Sequence, residues 1–279
     1  MQKIRWGIIG PGSIANNFAD GLMNSYSGQL VGIASKNDDR RKSFGDKYNV
    51  HDDFRFNSYD DIINSEHIDA IYISTPHTLH AEWTIKAAGK GKNVLCEKPG
   101  AVNYKEGQKV IDAVNEAGVF YMEGFMYRCH PQIPKLLELI KNKTIGDIIS
   151  IESSFGFDVG KTIFHSRLFK KDLAGGAILD VGLYPISFSR LVAGAASGEK
   201  FLEPVFLSAD ATIGETEVDE IAYGTIKFKN GIEAKLSTAI RKNMKNNAII
   251  YGTDGTIQLQ NPWMPGRDGG PYHAKIIIT

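Results

Sequence analysis

Cysteine is scarce in this sequence, net charge is absent, and no apolar stretch is long enough to span a membrane. The two cysteines, Cys96 and Cys129, have no C-x-x-C spacing, which argues against a disulfide framework and favours a reducing compartment. The 32 basic residues are balanced by 32 acidic ones, so there is no surplus of positive charge for binding nucleic acid. No apolar run approaches about 20 residues, and the chain starts with a strand pattern rather than a signal peptide. We therefore expect a soluble cytoplasmic protein without a membrane or nucleic-acid partner.

Metal-ligand spacing is missing as well. The seven histidines are scattered and form no H-x-x-x-H or H-x-H pair with carboxylates, so no metal site is predicted. The length of the chain, 279 residues, exceeds the usual size of one domain, about 100–200 residues, and therefore suggests two domains.

The first part of the chain alternates short apolar runs with helical patterns. The runs lie at 4–10, 30–35, 68–74, 93–96 and 119–122, and the helical patterns at 14–23, 38–48, 79–88 and 103–117. Strands that alternate with helices at this spacing indicate βαβ units and a parallel sheet. Residues 1–122 are therefore predicted to form an α/β domain of the Rossmann type.

The second part, residues 123–279, is mostly strand. Strand patterns lie at 148–157, 205–213, 221–229, 233–240, 248–251 and 256–260, and helical patterns at about 131–142 and 181–193. Asn230-Gly231 and Asp254-Gly255 separate alternating runs, which is a strong signal for hairpins. We expect an α+β domain with a large, mostly antiparallel sheet.

A glycine-rich turn follows the first strand. Gly10-Pro11-Gly12-Ser13-Ile14-Ala15 fits the pattern G-x-G-x-x-A at the opening of a helix. The first glycine permits the tight turn, the second lets the backbone approach a pyrophosphate, and the small Ala15 allows close packing of helix on strand. With the phosphates at the helix N-terminus, this turn predicts a site for a nicotinamide dinucleotide in which Gly10, Gly12, Ser13 and Ile14 take part. An ordinary glycine-rich turn is the alternative.

The end of the second strand favours NADP over NAD. An acidic residue there would bind the ribose hydroxyls of NAD and repel the 2′-phosphate of NADP. This chain instead has Ser35 and Lys36, with Arg40 and Arg41 just beyond. A hydroxyl and cations suit a phosphate, and the neighbouring 38–39 aspartate pair is expected to cap the next helix.

Lys98 lies in Glu97-Lys98-Pro99, directly after the strand at 93–96. This is the carboxyl edge of a parallel sheet, where ligands bind in open α/β folds. A lysine beside the positive nicotinamide ring would be disfavoured as an ammonium ion, which suits acid–base work. The alternative is an ordinary surface lysine after a strand.

Several ordered motifs resemble the Gfo/Idh/MocA oxidoreductase family. They are Thr75-Pro76-His77 with His80, G-K-N-V-L-C-E-K-P at 91–99, M-E-G-F-M-Y-R-C-H-P-Q at 122–132, and G-G-A-I-L-D-V-G-L-Y-P at 175–185. The last two are most similar to the branch of dimeric dihydrodiol dehydrogenases and NADP-dependent xylose dehydrogenases. The likeness extends over nearly the whole chain.

The resemblance implies hydride transfer between NAD(P) and a carbinol carbon of a sugar, polyol or cyclic diol. It also implies homodimerisation through the second, open-faced sheet. Lys98 matches the family's catalytic lysine, Asp180 its motif aspartate, and Tyr184 stands where many members carry histidine. In the dihydrodiol branch a tyrosine at this position is the expected acid–base residue.

The chemistry of Tyr184 can also be argued from its neighbours. Asp180 and Tyr184 are four residues apart, which places them on one face of a helix. Pro185 is tolerated only in a first turn, so we expect Tyr184 near the helix N-terminus, where negative charge is favoured. That end and the Lys98 cation would both lower the phenol pKa from about 10, and Asp180 would hold Lys98 in place. The alternative for Tyr184 is a packed aromatic ring.

The remaining candidate residues have weaker support. His77 and His80 are expected to contact the nicotinamide ribose, although His80 fits a helix start equally well. Arg128 and His130 are candidates for the substrate side, although arginines in polar connectors are often structural. Family members usually run about 50 residues further, so we expect a shortened or partial chain. Two alternative functions stay open, a catalytically silent NADP-binding regulator and an NAD-dependent glycoside-cleaving enzyme.

Overall fold

The computed structural model describes residues 3–160, 166–265 and 274–279. The chain divides into two compact units, Met1–Gly124 and Phe125–Thr279.

The first unit is a parallel sheet with helices between its strands. Its described strands are β1 (Ile4–Ile9), β2 (Gly28–Ala34), β3 (Arg55–Phe56), β4 (Ala70–Ile73), β5 (Asn93–Cys96) and β6 (Tyr121–Glu123). Its described helices are α1 (Ser13–Met23), α2 (Asp38–Lys47), α3 (Tyr59–Asn64), α4 (His80–Gly89) and α5 (Tyr104–Ala117). The strand order is β3-β2-β1-β4-β5-β6, and all pairs are parallel. This is the doubly wound order of dinucleotide-binding folds, so the predicted Rossmann architecture is confirmed.

Apolar strands form the core of this unit. Ile8, Ile9, Ile71 and Ile73 have no exposed surface, because helices cover both faces of a parallel sheet. Two short elements were not predicted, β3 and α3. Both are too short to show a periodicity, and α3 is marked only by the Ser58 hydroxyl, which accepts a hydrogen bond from Asp60 N at 3.1 Å.

The second unit is a sheet covered on one face by helices. Its described strands are β7 (Ile148–Gly156), β8 (Pro204–Ile213), β9 (Asp219–Phe228), β10 (Glu233–Ala239), β11 (Asn247–Gly252), β12 (Thr256–Gln260) and β13 (Ile276–Ile278). Its helices are α6 (Gln132–Lys141) and α7 (Leu183–Ala196). The order is β13-β12-β11-β7-β10-β9-β8, and every pair is antiparallel except β7 with β10. The expected mostly antiparallel sheet is thus confirmed.

Helix α7 is the central helix of this unit. By length and composition alone, the helical stretch Lys171–Ala196 could cross a membrane, but 72% of its most apolar window is buried inside the protein. Phe188 and Val192 of α7 have no exposed surface and pack into the cluster that contains Trp263. The apolar character of this helix is explained by core packing.

Candidate active site

The glycine-rich turn joins β1 to α1, as predicted. Gly10 has φ +85°, and a β-carbon there would lie 3.1 Å from the Ser74 carbonyl carbon and oxygen. Only glycine allows this close approach of the turn to the end of β4. The Ser74 hydroxyl also donates to the Gly10 carbonyl at 2.9 Å, so the turn and the end of β4 are held together.

The turn fits the pyrophosphate of a dinucleotide. Gly12 is the N-cap of α1 and provides no side-chain hydrogen bond to the first turn, while Ser13 and Ile14 are exposed. A β-carbon at Gly12 would meet only the Gly10 carbonyl, 3.9 Å away, so a ligand has room to approach the backbone. Uncapped N–H groups at a helix N-terminus attract anions.

The end of β2 presents a buried serine and two exposed cations. Ser35 is buried, and its hydroxyl accepts a hydrogen bond from Asn37 N at 3.2 Å. Lys36 and Arg40 are exposed, and the Lys36 ammonium lies 5.6 Å from the centre of the Tyr59 ring. Arg41 turns inward, because its Nη1 donates to the Ser35 carbonyl at 2.8 Å.

One detail of this region differs from the expectation. Asn37, and not the aspartate pair that follows it, caps α2, since its side chain accepts from Arg40 N at 2.8 Å. Asp38 and Asp39 lie in the first turn, where negative charge is favoured by the helix dipole. Asparagine is as good an N-cap as aspartate, which is why the sequence did not distinguish them.

Thr75, Pro76 and His77 form the turn after β4. The Thr75 hydroxyl is buried and has no hydrogen-bond partner in the described part of the chain. A buried hydroxyl without a partner is unusual, and a bound ligand that hydrogen-bonds to it would satisfy it. His77 is buried, with its ring centre 5.8 Å from that of His80.

His80 is the first residue of α4 and is buried to 1% exposure. Its Nδ1 lies 2.7 Å from the Pro99 carbonyl oxygen and its Nε2 lies 2.8 Å from the Thr75 carbonyl oxygen. The ring therefore joins the loop after β4 to the loop after β5. The helix-start position that the sequence left as an alternative is therefore present, and contact of His80 with the nicotinamide ribose stays a prediction.

Lys98 lies in the loop after β5, at the carboxyl edge of the sheet. The preceding Glu97 accepts a hydrogen bond from the Tyr72 hydroxyl at 2.6 Å, and the Lys98–Pro99 peptide bond is cis. Lys98 is partly buried rather than fully exposed. The glycine turn, Thr75 and Lys98 thus lie on neighbouring strand ends of one unit.

Asp180 and Tyr184 occupy a helix that differs from the predicted one. The expected start at about residue 181 is wrong, because a π-helical turn, Ile178–Gly182, precedes α7 and continues into it. Asp180 therefore lies in the first turn of the helical stretch and Tyr184 lies further inside it. The helix dipole acts on Asp180 more strongly than on Tyr184. Such π-helical turns are frequent at functional sites.

The Tyr184 side chain is 4% exposed and its ring sits among aromatic rings. The rings of Phe125 and Phe155 meet it edge-on at centroid distances of 5.5 Å and 5.2 Å, and Tyr127 lies at 5.8 Å. The packing that the sequence left as an alternative is therefore present. Because a tyrosine can bury its ring while its hydroxyl makes polar contacts, the catalytic role of Tyr184 stays a prediction.

Arg167 was missed by the sequence reasoning. Its Nη2 donates to Asp180 Oδ1 at 2.8 Å, so Asp180 has a cationic partner within its own unit. A single arginine, here the first residue of the short 3-10 helix Arg167–Phe169, carries no signal of this pairing in the sequence. The expectation that Asp180 holds Lys98 stays a prediction.

The sequence reasoning also missed Asp219, whose carboxylate packs against a glycine of the 175–185 motif. Its Oδ2 accepts a hydrogen bond from Ile178 N at 2.7 Å and caps the π-helical turn. Gly176 has φ +106°, and a β-carbon there would overlap the Asp219 carboxylate. Burial raises the pKa of Asp219.

Arg128 and His130 anchor the connector that leads into α6. Arg128 Nη2 donates to the Ser187 hydroxyl at 2.6 Å, and its guanidinium lies 4.5 Å from the centre of the Phe201 ring. His130 Nδ1 accepts from Gln132 N at 3.2 Å. These contacts favour the structural alternative for Arg128, and a substrate role for either residue stays a prediction.

Comparisons with known proteins agree with the fold and the motifs. Residues 4–125 match the model of the Gfo/Idh/MocA oxidoreductase family with an NAD-binding Rossmann fold, and residues 133–258 match the Gfo/Idh/MocA C-terminal domain. The mouse (Mus musculus) trans-1,2-dihydrobenzene-1,2-diol dehydrogenase is 32% identical over 266 residues, which cover 95% of this chain and 77% of that protein.

Two solved structures are similar along the whole chain. The ketoreductase KijD10 from Actinomadura kijaniata, in complex with NADP and TDP-benzene, has a TM-score of 0.84 and 26% identity, covering 99% of this chain and 84% of its own. The aldose-aldose oxidoreductase from Caulobacter crescentus has a TM-score of 0.87 at 23% identity, covering 100% and 81%. The second likeness concerns the fold alone.

Proposed function

Because the chain belongs to the Gfo/Idh/MocA oxidoreductase family, we propose that it transfers a hydride between NADP and a carbinol carbon of a sugar, polyol or cyclic trans-diol. The observation that carries this proposal is the carboxyl edge of the first sheet. There the glycine turn, the buried Thr75 hydroxyl without a partner in the described chain, and the loop of Lys98 lie on neighbouring strand ends. When bound, the nicotinamide ring would accept or donate the hydride.

The side chains and backbone of this chain would bind the cofactor and transfer the proton. Gly10, Gly12, Ser13 and Ile14 would hold the pyrophosphate, and Thr75, Pro76, His77, His80 and Glu97 would line the nicotinamide side. Tyr184 in its phenolate form would take the proton from the substrate hydroxyl during oxidation and end as the neutral phenol. The Lys98 cation would favour the phenolate form before that transfer. Asp180, which accepts a hydrogen bond from Arg167, would balance the positive charge of Lys98.

The preference for NADP rests on Ser35, Lys36 and Arg40. The two cations are exposed beside a buried serine, and no acidic side chain of the described chain occupies the end of β2. The solved relative KijD10 contains NADP, which supports the same choice for this chain.

Replacing Lys36 and Arg40 together with alanine is expected to weaken NADPH binding by about 10²-fold or more and to leave NADH binding unchanged. The physical reason is the loss of two charge-assisted hydrogen bonds to the 2′-phosphate. Fluorescence titration with both cofactors measures the effect. Lys42→Ala is the matched control, because Lys42 is an exposed lysine of the same helix, paired with Asp46. An equal loss for NADH would refute the assignment, as would a wild-type preference for NAD.

The substrate class is supported by a relative that is named for a dihydrodiol. A screen of aldoses, polyols and cyclic trans-diols, with NAD and NADP in parallel, tests the proposal through the absorbance of the reduced nicotinamide. Turnover with one of these classes is expected. No change in absorbance across the panel would refute the proposal, and release of sugar without net reduction would point to glycoside cleavage instead.

We propose that the second sheet also mediates a homodimer. Every residue of β8 from Val205 to Ile213 is exposed within the chain, and Val205, Phe206 and Leu207 are 67%, 49% and 66% exposed. A long apolar edge strand is normally protected, and large apolar patches mark interfaces. A second copy of this chain is the partner that the resemblance implies.

Leu207→Lys is expected to convert the dimer to a monomer, because a lysine in the centre of an apolar interface cannot be desolvated without a partner. Light scattering after size-exclusion chromatography measures the mass. Met23→Lys, at a position 60% exposed in the first unit, is the control and is expected to leave the mass unchanged. A wild-type monomer, or a dimer that survives Leu207→Lys, would contradict this interface.

The location in a reducing compartment, the cytoplasm, is a further part of the proposal. Cys129 is exposed and Cys96 is buried, and both are free thiols. An exposed free thiol is typical of proteins that work where disulfides do not form.

A further inference from the structure

The His80 ring lies between two backbone carbonyl groups. Its two nitrogens are 2.7 Å from the Pro99 oxygen and 2.8 Å from the Thr75 oxygen, and 1% of the residue is exposed. Both distances are those of well-formed hydrogen bonds. At this burial, water cannot replace either contact.

Both contacts can be hydrogen bonds only if both nitrogens carry a proton. A carbonyl oxygen accepts hydrogen bonds and never donates them, whereas a neutral imidazole has one N–H and one lone pair. In the neutral ring, one nitrogen lone pair would therefore face a carbonyl lone pair across less than 3 Å. Both acceptors are satisfied only by the imidazolium.

The two acceptors belong to the loops that carry the cofactor-side residues. Pro99 follows Lys98 directly in the loop after β5, and Thr75 begins the turn after β4. The ring is thus a cross-link between two strand ends. It holds the backbone of the Lys98 loop in one position relative to the Thr75 turn.

We propose that His80 is held as an imidazolium and is a positioning residue that fixes Lys98 for hydride-transfer chemistry. The catalytic consequence rests on the proposed function, whereas the charge of the ring does not. A neutral histidine would be enough if the side chain only packed here or made one hydrogen bond. The two carbonyl contacts instead require the charged ring.

Several influences act on this charge. Burial disfavours it, and so does the N-terminus of α4, where His80 is the first residue. The two carbonyl dipoles favour it, because hydrogen bonds from a charged donor are stronger than those from a neutral one. The titratable residues on the neighbouring elements include Glu123 at the end of β6, whose carboxylate accepts from Gly100 N. The others are Tyr72 on β4, His77 in the preceding turn, Glu82 and Lys86 on α4, Cys96 at the end of β5, and Glu97 and Lys98 in the following loop.

Nitrogen NMR of the protein labelled with ¹⁵N-histidine tests the charge directly, without cofactor or substrate. Near neutral pH, His80 is expected to show two protonated ring nitrogens. A His80→Gln spectrum assigns the resonance. A single neutral tautomer for His80 would overturn the proposal, whether or not the protein oxidises any substrate.

The positioning role is tested by His80→Gln in the turnover assay. A glutamine amide cannot donate to two carbonyls on opposite sides, so one of the two contacts that join the Lys98 loop to the Thr75 turn is lost. We expect kcat to fall by about 10²-fold with little change in KM for the substrate, and faster hydrogen exchange at the amide of Gly100. His67→Gln, the same change at an exposed site, is expected to leave both unchanged. Unaltered kcat and exchange in a folded His80→Gln variant would overturn the positioning role.

Discussion

Replacing Lys98 with alanine is expected to lower kcat by about 10²–10⁴-fold, the range for loss of a group that takes part in proton transfer. NADPH binding should change little, since the pyrophosphate and adenosine ends are held by the glycine turn and by the residues that follow β2. Single-turnover measurement of nicotinamide absorbance separates the chemical step from binding.

The control for this variant is Lys90→Ala. Lys90 is an exposed lysine at the C-terminal end of α4, so the change in net charge of the first unit is the same. Its kcat should equal that of the wild type. If Lys98→Ala retained full turnover, the lysine would be an ordinary surface residue and the assignment of the nicotinamide end would fail.

Tyr184→Phe is expected to lower kcat by about 10²–10⁴-fold without loosening the second unit. The phenyl ring keeps the contacts with Phe125 and Phe155, so only the hydroxyl is removed. The measurement combines kcat as a function of pH with thermal unfolding. The acid–base role predicts loss of the ionisation that the wild-type profile shows, together with an unfolding temperature close to that of the wild type.

Tyr127→Phe is the matched control, because it removes a hydroxyl from the same aromatic cluster. Tyr127 is buried, which raises its pKa, and its hydroxyl shares a hydrogen bond with the Ser187 hydroxyl at 3.0 Å. We expect this variant to lose about 1 kcal/mol of unfolding free energy and to keep its kcat. If the two variants exchanged these effects, Tyr184 would be a packing residue and Tyr127 the active one.

The Rossmann unit could be predicted almost completely because its information is local. Each buried strand is a short apolar run, each helix has its own period, and the Gly10–Ala15 turn has a spacing that chemistry requires. The elements that escaped prediction, β3 and α3, are too short for a period to develop.

The second unit was less predictable because its decisive contacts join residues far apart in the chain. The parallel pairing of β7 with β10 cannot be read from either strand. The partners of Asp180 and Arg128, which are Arg167 and Ser187, depend on tertiary packing rather than on spacing. The π-helical turn before Pro185 also escaped, because an i, i+4 pattern assumes an ordinary α-helix.

The same pairing of β7 governs the order in which the molecule can assemble. Both neighbours of β7 in the sheet, β10 and β11, follow it much later in the chain, so β7 leaves the ribosome with neither edge paired. Strands joined through such long loops form slowly. The first unit, whose neighbouring strands are linked mainly by short βα segments, can therefore close while the second is still being made. During that interval the apolar side chains of β7, among them Ile151 and Phe155, are unburied and open to aggregation and to chaperones.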